Sequence, residues 1–169
     1  YVEPFAGGAS LFWNKEPADL EVLGDMNGNL VRFYERARRG GLEGCRPVIQ
    51  SEKTFAEAKA CRSEDPCCYL LYNRMAFDGS ENETRSIKYD GKPVAQHILK
   101  DSEKWTSRLR KTHLRIADFA DTMEKFDSPT TLHFLDPPWT TDAMPRKYAK
   151  KKYGKANAAV SLNKVASTA

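Results

Sequence analysis

Asp136-Pro137-Pro138-Trp139 follows the apolar run Leu132-His133-Phe134-Leu135, so one carboxylate, two prolines and one large ring share four consecutive positions. Proline fixes φ and has no N–H, which leaves the neighbouring carbonyls available as acceptors. A flat base stacked on the Trp139 ring would meet only acceptors at its edge. That suits an exocyclic amino group, which brings two N–H donors. The same residues also read as a strand-end Asp in a proline turn beside a packed Trp, and alone they do not separate the two readings.

A second set of residues with chemical potential lies at the other end of the chain. Tyr1-Val2-Glu3-Pro4-Phe5-Ala6-Gly7-Gly8-Ala9-Ser10 reads as a strand, a glycine-rich turn and a helix start. Glycines allow a ligand close to the backbone, and a helix N-terminus offers unpaired N–H groups. The run Glu21-Val22-Leu23-Gly24 reads as a second strand leading into Asp25-Met26-Asn27. An acidic residue about 20 positions beyond such a turn commonly binds ribose hydroxyls. The pyrophosphate fingerprint G-x-G-x-x-G is absent, which argues against a dinucleotide. A nucleoside without phosphates fits better, and S-adenosylmethionine is one.

Phe5-Ala6-Gly7-Gly8, Asp25-Met26-Asn27 and Asp136-Pro137-Pro138-Trp139, in that order, resemble the Dam-type DNA adenine-N6 methyltransferases. Tyr69-Leu70-Leu71-Tyr72-Asn73-Arg74-Met75-Ala76-Phe77-Asp78-Gly79 and Leu114-Arg115-Ile116-Ala117-Asp118-Phe119 are similar to the same family, so the resemblance runs from Tyr1 to the neighbourhood of Tyr148. It implies an α/β, Rossmann-like S-adenosylmethionine-dependent methyltransferase fold: a partial parallel sheet with an inserted target-recognition segment. It further implies one partial domain over 1–169, with the insertion at 52–100 and a basic tail at 143–169. The implied reaction is methyl transfer to the N6 amino group of adenine in DNA.

Carried over residue by residue, the resemblance gives Asp136, Pro137, Pro138 and Trp139 to the target base. Glu3, Pro4, Phe5, Gly7, Gly8, Asp25, Asp118 and Phe119 go to the methyl donor: Asp25 to the ribose, Asp118 and Phe119 to the adenine end, Glu3 and Pro4 to the shape of the turn. Target recognition is expected between Phe77 and Lys92, so Arg85, Lys88 and Tyr89, with Arg74 on the preceding helix, go to nucleic acid, although each also reads as a solvated surface residue. Arg146, Lys147 and Lys150 go to nucleic acid on the charge of the tail. Taken singly, Asp118 also reads as a helix cap, Phe119 as core and Glu3 as half of an ion pair. The chain departs from the family pattern at Trp139, where Tyr is usual, and at Ala9, where a second glycine is usual. The segments expected before the glycine turn and after Trp139 are not in the sequence, which therefore reads as a fragment or a reduced relative. Two other readings follow from these departures: a catalytically incomplete nucleic-acid-binding relative, and an RNA adenine-N6 methyltransferase, prompted by Trp139.

The elements that must position these residues follow from periodicity. Strands are expected at Val2–Phe5, Glu21–Gly24, Leu114–Ala117 and Leu132–Leu135. Helices are expected at Ser10–Lys15, Asn29–Arg39, Phe55–Cys61, Pro66–Ala76 and Ser102–Thr112, with an irregular or hairpin stretch over Asp78–Pro93. Alternating helices and apolar strands imply a parallel sheet. The resemblance implies the order 3-2-1-4, which sets the glycine turn and Asp136 at one switch-point crevice.

The net charge of +4 conceals an asymmetry. Seven basic residues and no acid follow Ala143, leaving 20 basic against 23 acidic side chains before it, a net of −3. Such a tail either attracts phosphates or is a solvated run, and the interleaved Tyr148 and Tyr153 favour nucleic acid. No apolar run approaches the length of a membrane span and no secretory signal pattern is present. An intracellular protein, cytoplasmic in a prokaryote or virus-infected cell, is expected. Cys45, Cys61, Cys67 and Cys68 contain no C-x-x-C pair, so reduced, partly buried thiols are expected and zinc is not. His97, His113 and His133 are scattered; His133, in an apolar strand, reads as a packed histidine. No metal chemistry is indicated.

Overall fold

The computed structural model describes residues 1–77, 85–86 and 90–138. The chain divides into two units, Tyr1–Phe134 and Leu135–Ala169. In the second, Leu135, Asp136, Pro137 and Pro138 are the described residues, and all four are exposed.

The first unit is built on a parallel sheet. β1 (Val2–Glu3), β2 (Glu21–Asp25) and β5 (Thr112–Ile116) lie in the order β1-β2-β5. Val2 pairs with Val22, and Glu21 through Asp25 pair with Thr112 through Ile116. On the free side of β1, Val2 N–H donates to the Leu132 carbonyl and Phe134 N–H to the Val2 carbonyl, both at 2.9 Å. This single parallel bridge at His133 stands where a fourth strand over Leu132–Leu135 is expected. The sequence of neighbours agrees with the expected 3-2-1-4 order. His133 is half-buried, its Nε2 lying 3.2 Å from Asp127 Oδ1.

β2 is covered on both faces. Residues Glu21 to Gly24 are all buried, which alternation permits only if both sides of the strand are packed. Leu23 joins the core formed with Phe33, Tyr34 and Ala37 of α2 (Gly28–Arg38). Gly24 faces the other way, towards α7 (Phe119–Phe126). A Cβ there would lie 3.1 Å from Thr122 Oγ1, so the glycine is what lets α7 approach.

Helix ends follow local chemistry. Asn27 caps α2, its Oδ1 accepting from Asn29 and Leu30 N–H. Ser51 and Thr54 form a capping box at α3 (Glu52–Cys61), and Asp65 caps α4 (Pro66–Met75), which has proline at its first position. α1 (Ser10–Asn14), α5 (Gln96–Lys100) and α6 (Ser102–Leu109) complete the described helices, with a 3-10 turn at Gly41–Gly44. A small antiparallel pair, β3 (Val48–Ile49) and β4 (Pro93–Val94), closes the helical region. Helix 102–112 of the sequence reading ends at Leu109 because Thr112 already belongs to β5. α5 and α7 are additions to that reading.

The cysteines correct the expectation of reduced thiols. Cys45 is paired with Cys67, and Cys61 with Cys68, with Cα atoms 5.5 and 5.7 Å apart. Neighbours on one helix point about 100° apart, so Cys67 and Cys68 reach two different partners. One lies just beyond the 3-10 turn and the other at the end of α3. No helix among the described residues is long and apolar enough to cross a membrane.

Candidate donor-binding site

The glycine turn is held from two sides. Gly7 has φ +45°, a conformation that favours glycine, and its carbonyl accepts the Tyr34 hydroxyl at 2.6 Å. Tyr34 is 2% exposed, and burial pushes its phenol far above the ordinary range, so it acts as a fixed hydroxyl donor. From β2, Asp25 Oδ2 accepts the Gly7 N–H at 3.0 Å. Asp25 Oδ1 accepts the Asn27 N–H at 2.8 Å. One carboxylate therefore braces both the glycine turn and the turn into α2. A carboxylate has about four acceptor positions, so two backbone N–H bonds leave capacity for hydroxyl donors.

That capacity opens on a cavity of about 420 Å³. Gly7, Gly8, Asp25 and Asn27 line one part of it. Leu30, Phe33 and Tyr34 of α2, Tyr69, Leu70, Asn73 and Arg74 of α4, and Ile98 and Trp105 line the rest. α4 is drawn against α2 by Asn27 Nδ2, which donates to the Tyr69 hydroxyl at 3.2 Å. The rings of Phe33, Tyr34 and Trp105 pack on one another, with Phe33 and Trp105 centroids 5.9 Å apart. The volume lies in the range of small-molecule sites, which are mostly apolar with a few placed polar groups.

Phe5 and Phe119, which do not line this cavity, stack with ring centroids 5.0 Å apart. Phe119 is 7% exposed and so also serves the core. Asp118 caps α7 through Ala120 N–H at 3.0 Å, the alternative that its position in the sequence allowed. Met26 and Ile116, at the ends of β2 and β5, are 72% and 56% exposed, two large apolar side chains left open at the same sheet edge.

Glu3 is buried, and its Oε2 accepts the Tyr1 hydroxyl at 2.8 Å; Pro4 is fully buried. Arg85 is ion-paired with Asp90 and bridged to Ala76. Arg74 is exposed and lines the cavity. Trp139, Lys88, Tyr89, Arg146, Lys147 and Lys150 lie outside the described residues. Tyr34, Tyr69 and Trp105 received no site role from the sequence. Their one visible signal is helical spacing of aromatics, which reads first as core. Among the described residues, no three His, Cys, Asp or Glu side chains group to hold a metal ion.

Compared with known proteins, the chain matches the family described as D12 class N6 adenine-specific DNA methyltransferase over residues 1–159. No curated protein matches it closely enough to count as a relative.

Proposed function

From the premise that this chain belongs to the D12 class N6 adenine-specific DNA methyltransferases, whose members methylate the N6 amino group of adenine in DNA, we propose that its donor is S-adenosylmethionine, held at the glycine turn. We propose further that the sheet is the core of a Rossmann-like methyltransferase fold. The observation that carries the donor reading is the Asp25 carboxylate, braced by Gly7 and Asn27 N–H and lining a nucleoside-sized cavity. The residues present fit such a ligand. Asp25 has acceptor capacity for ribose hydroxyls, Phe33, Tyr34, Tyr69 and Trp105 offer aromatic lining, and Gly7 and Gly8 admit close approach.

Bound S-adenosylmethionine supplies a methyl group made electrophilic by its sulfonium. The chain's own residues then have three tasks. Asp25 and the glycine turn fix the donor, with Asp118 and Phe119 at its adenine end. Asp136 and the Pro137 carbonyl accept the two N–H groups of the target amine. This counters delocalisation of its lone pair and favours a pyramidal, more nucleophilic nitrogen. Trp139 stacks on the base, which must leave the duplex to be reached. Lys88, Tyr89 and the tail residues Arg146, Lys147 and Lys150 supply contacts to DNA, largely to phosphates. The reading places the protein inside the cell, where its DNA substrate lies.

The test is transfer of a labelled methyl group to adenine-containing duplex DNA, followed by digestion and identification of N6-methyladenine. Asp136→Ala is expected to lower the rate roughly 100- to 1000-fold, the usual loss on removing one placed electrostatic group. An Asp136→Ala protein that works at the parent rate removes Asp136 from the chemistry.

A further inference from the structure

We propose that Arg74, with Asn73 beside it on α4, binds the carboxylate at the amino-acid end of the methyl donor. This assignment rests on the reading of the cavity as the donor site. Among the described residues lining the cavity, Asp25 is the one anion and Arg74 the one cation. They come from different elements, the end of β2 and the last turn of α4. The same cavity is lined by the aromatic side chains of Phe33, Tyr34, Tyr69 and Trp105.

A donor that places its ribose hydroxyls on Asp25 has one further strongly charged part, a tail carrying a carboxylate and an ammonium group. Asp25 would repel the carboxylate. The guanidinium of Arg74 attracts it and matches its geometry, because a planar fork can meet both oxygens at once. The aromatic wall lowers the local dielectric and strengthens that attraction relative to open water. The Asn73 side-chain amide provides both a donor and an acceptor, and the acceptor suits the ammonium of the same tail. The sequence alone gives Arg74 to nucleic acid, through support of the recognition loop. Its sharing one cavity with Gly7, Gly8 and Asp25 favours the donor instead.

Two nucleosides separate the possibilities in calorimetric titrations of the full chain. S-adenosylhomocysteine carries the amino-acid tail, and 5′-methylthioadenosine lacks it. For the parent protein, the tailed compound is expected to bind more tightly. Arg74→Ala should weaken S-adenosylhomocysteine binding about 10- to 100-fold, the usual loss for a charged hydrogen bond, and leave 5′-methylthioadenosine unchanged. Arg74→Lys should recover part of the loss. Equal weakening of both compounds, or no change in either, overturns the assignment while leaving the donor site standing. So does a variant that loses only DNA affinity together with part of its salt dependence, which would make Arg74 a phosphate contact. If the parent protein binds neither compound, the reading of the cavity itself fails, and the role of Arg74 falls with it.

Discussion

Strand β2 carries a carboxylate at each end, and the two ends differ in kind. Glu21 and Asp25 lie on the same face, with Leu23 between them, because side chains alternate along a strand. Glu21 is 5% exposed and surrounded by donors: Lys15 Nζ, both terminal nitrogens of Arg108, and the Ala18 N–H. Arg108 also donates to the Phe12 carbonyl at 3.1 Å and sits over the Phe12 ring. This cluster ties α1, β2 and α6 together and leaves no opening for a ligand. Asp25 is half-buried, held by backbone N–H groups rather than by cations, and opens on the cavity. A carboxylate whose charge is cancelled by side chains holds the fold. One that is oriented by the backbone keeps its charge and spare acceptor positions for something else.

The largest effect expected from breaking this contrast is at the Glu21 end. Arg108→Ala removes a buried partner and leaves Glu21 undercompensated, which typically costs about 3–5 kcal/mol. Denaturant unfolding should show that loss, while donor affinity of the folded protein stays near the parent value. A cost below about 1 kcal/mol, the scale of an exposed pair, would mean that the cluster is not an anchor.

Acid should reveal the same cluster. Burial pushes the Glu21 carboxyl up, but hydrogen bonds from Arg108 and Lys15 outweigh it and hold it down at about 2, against an ordinary 4.5. The folded value lies below the unfolded one, so the stabilisation is complete above pH 4.5 and is lost as pH falls through 2. The shift corresponds to a loss on the order of 3 kcal/mol. Glu21→Gln should flatten the stability profile in that window. A profile of unchanged slope would show that other groups carry the acid response.

Much of this arrangement is legible in the sequence because it is local. Gly7-Gly8 after a short apolar run, Asp25 at the end of another and Asn27 ahead of α2 each announce themselves through turn and cap chemistry. What is not legible depends on elements meeting in space. Nothing near Cys67 and Cys68 shows that Cys45 and Cys61 will face them. Arg85 reads as a free cation until Asp90 is found beside it. Asp118 caps α7 through Ala120 N–H, a role its position in the sequence allows alongside one toward the donor. Most important, nothing in the sequence sets α4 beside the glycine turn. The Asn27–Tyr69 hydrogen bond helps to do so, and with it Asn73 and Arg74 become part of the cavity.

At the other end of β2, Asp25→Ala should reverse the signature. Loss of a charged acceptor typically costs a ligand about 1.5–3 kcal/mol, so affinity for S-adenosylhomocysteine should fall by roughly 10- to 100-fold. The fold should suffer less than in Arg108→Ala, since the two N–H groups released lie near solvent. Should Asp25→Ala unfold the protein as readily as Arg108→Ala does, the two ends of the strand would not differ in the way argued. Asp25→Asn keeps one acceptor oxygen and should fall between the parent and Asp25→Ala.

The smallest effect concerns the turn that Asp25 braces, where two residues adopt positive φ. Gly7 has φ +45° with nothing within 4 Å of a Cβ built on it, and Ala9, at the N-terminus of α1, has φ +50°. A side chain in the left-handed region costs about 1–2 kcal/mol. Gly7→Ala should therefore cost on the order of 1 kcal/mol in denaturant unfolding, the backbone strain being partly offset by the roughly 0.4–1 kcal/mol that a stiffer unfolded chain returns. Ala9→Gly relieves the same strain, but two terms oppose the gain. The Ala9 methyl is buried, with the residue 1% exposed, and a buried methyl contributes about 0.8 kcal/mol. A new glycine also frees the unfolded chain, at a cost of about 0.4–1 kcal/mol. The sum lies within about 0.8 kcal/mol of zero on either side, so alanine is tolerated where the resembling family has glycine. A gain beyond about 1 kcal/mol would show that strain at Ala9 outweighs its packing, and a comparable loss the reverse. In either variant, a change in donor affinity larger than the change in stability would place the turn on the ligand side of the contrast between Glu21 and Asp25.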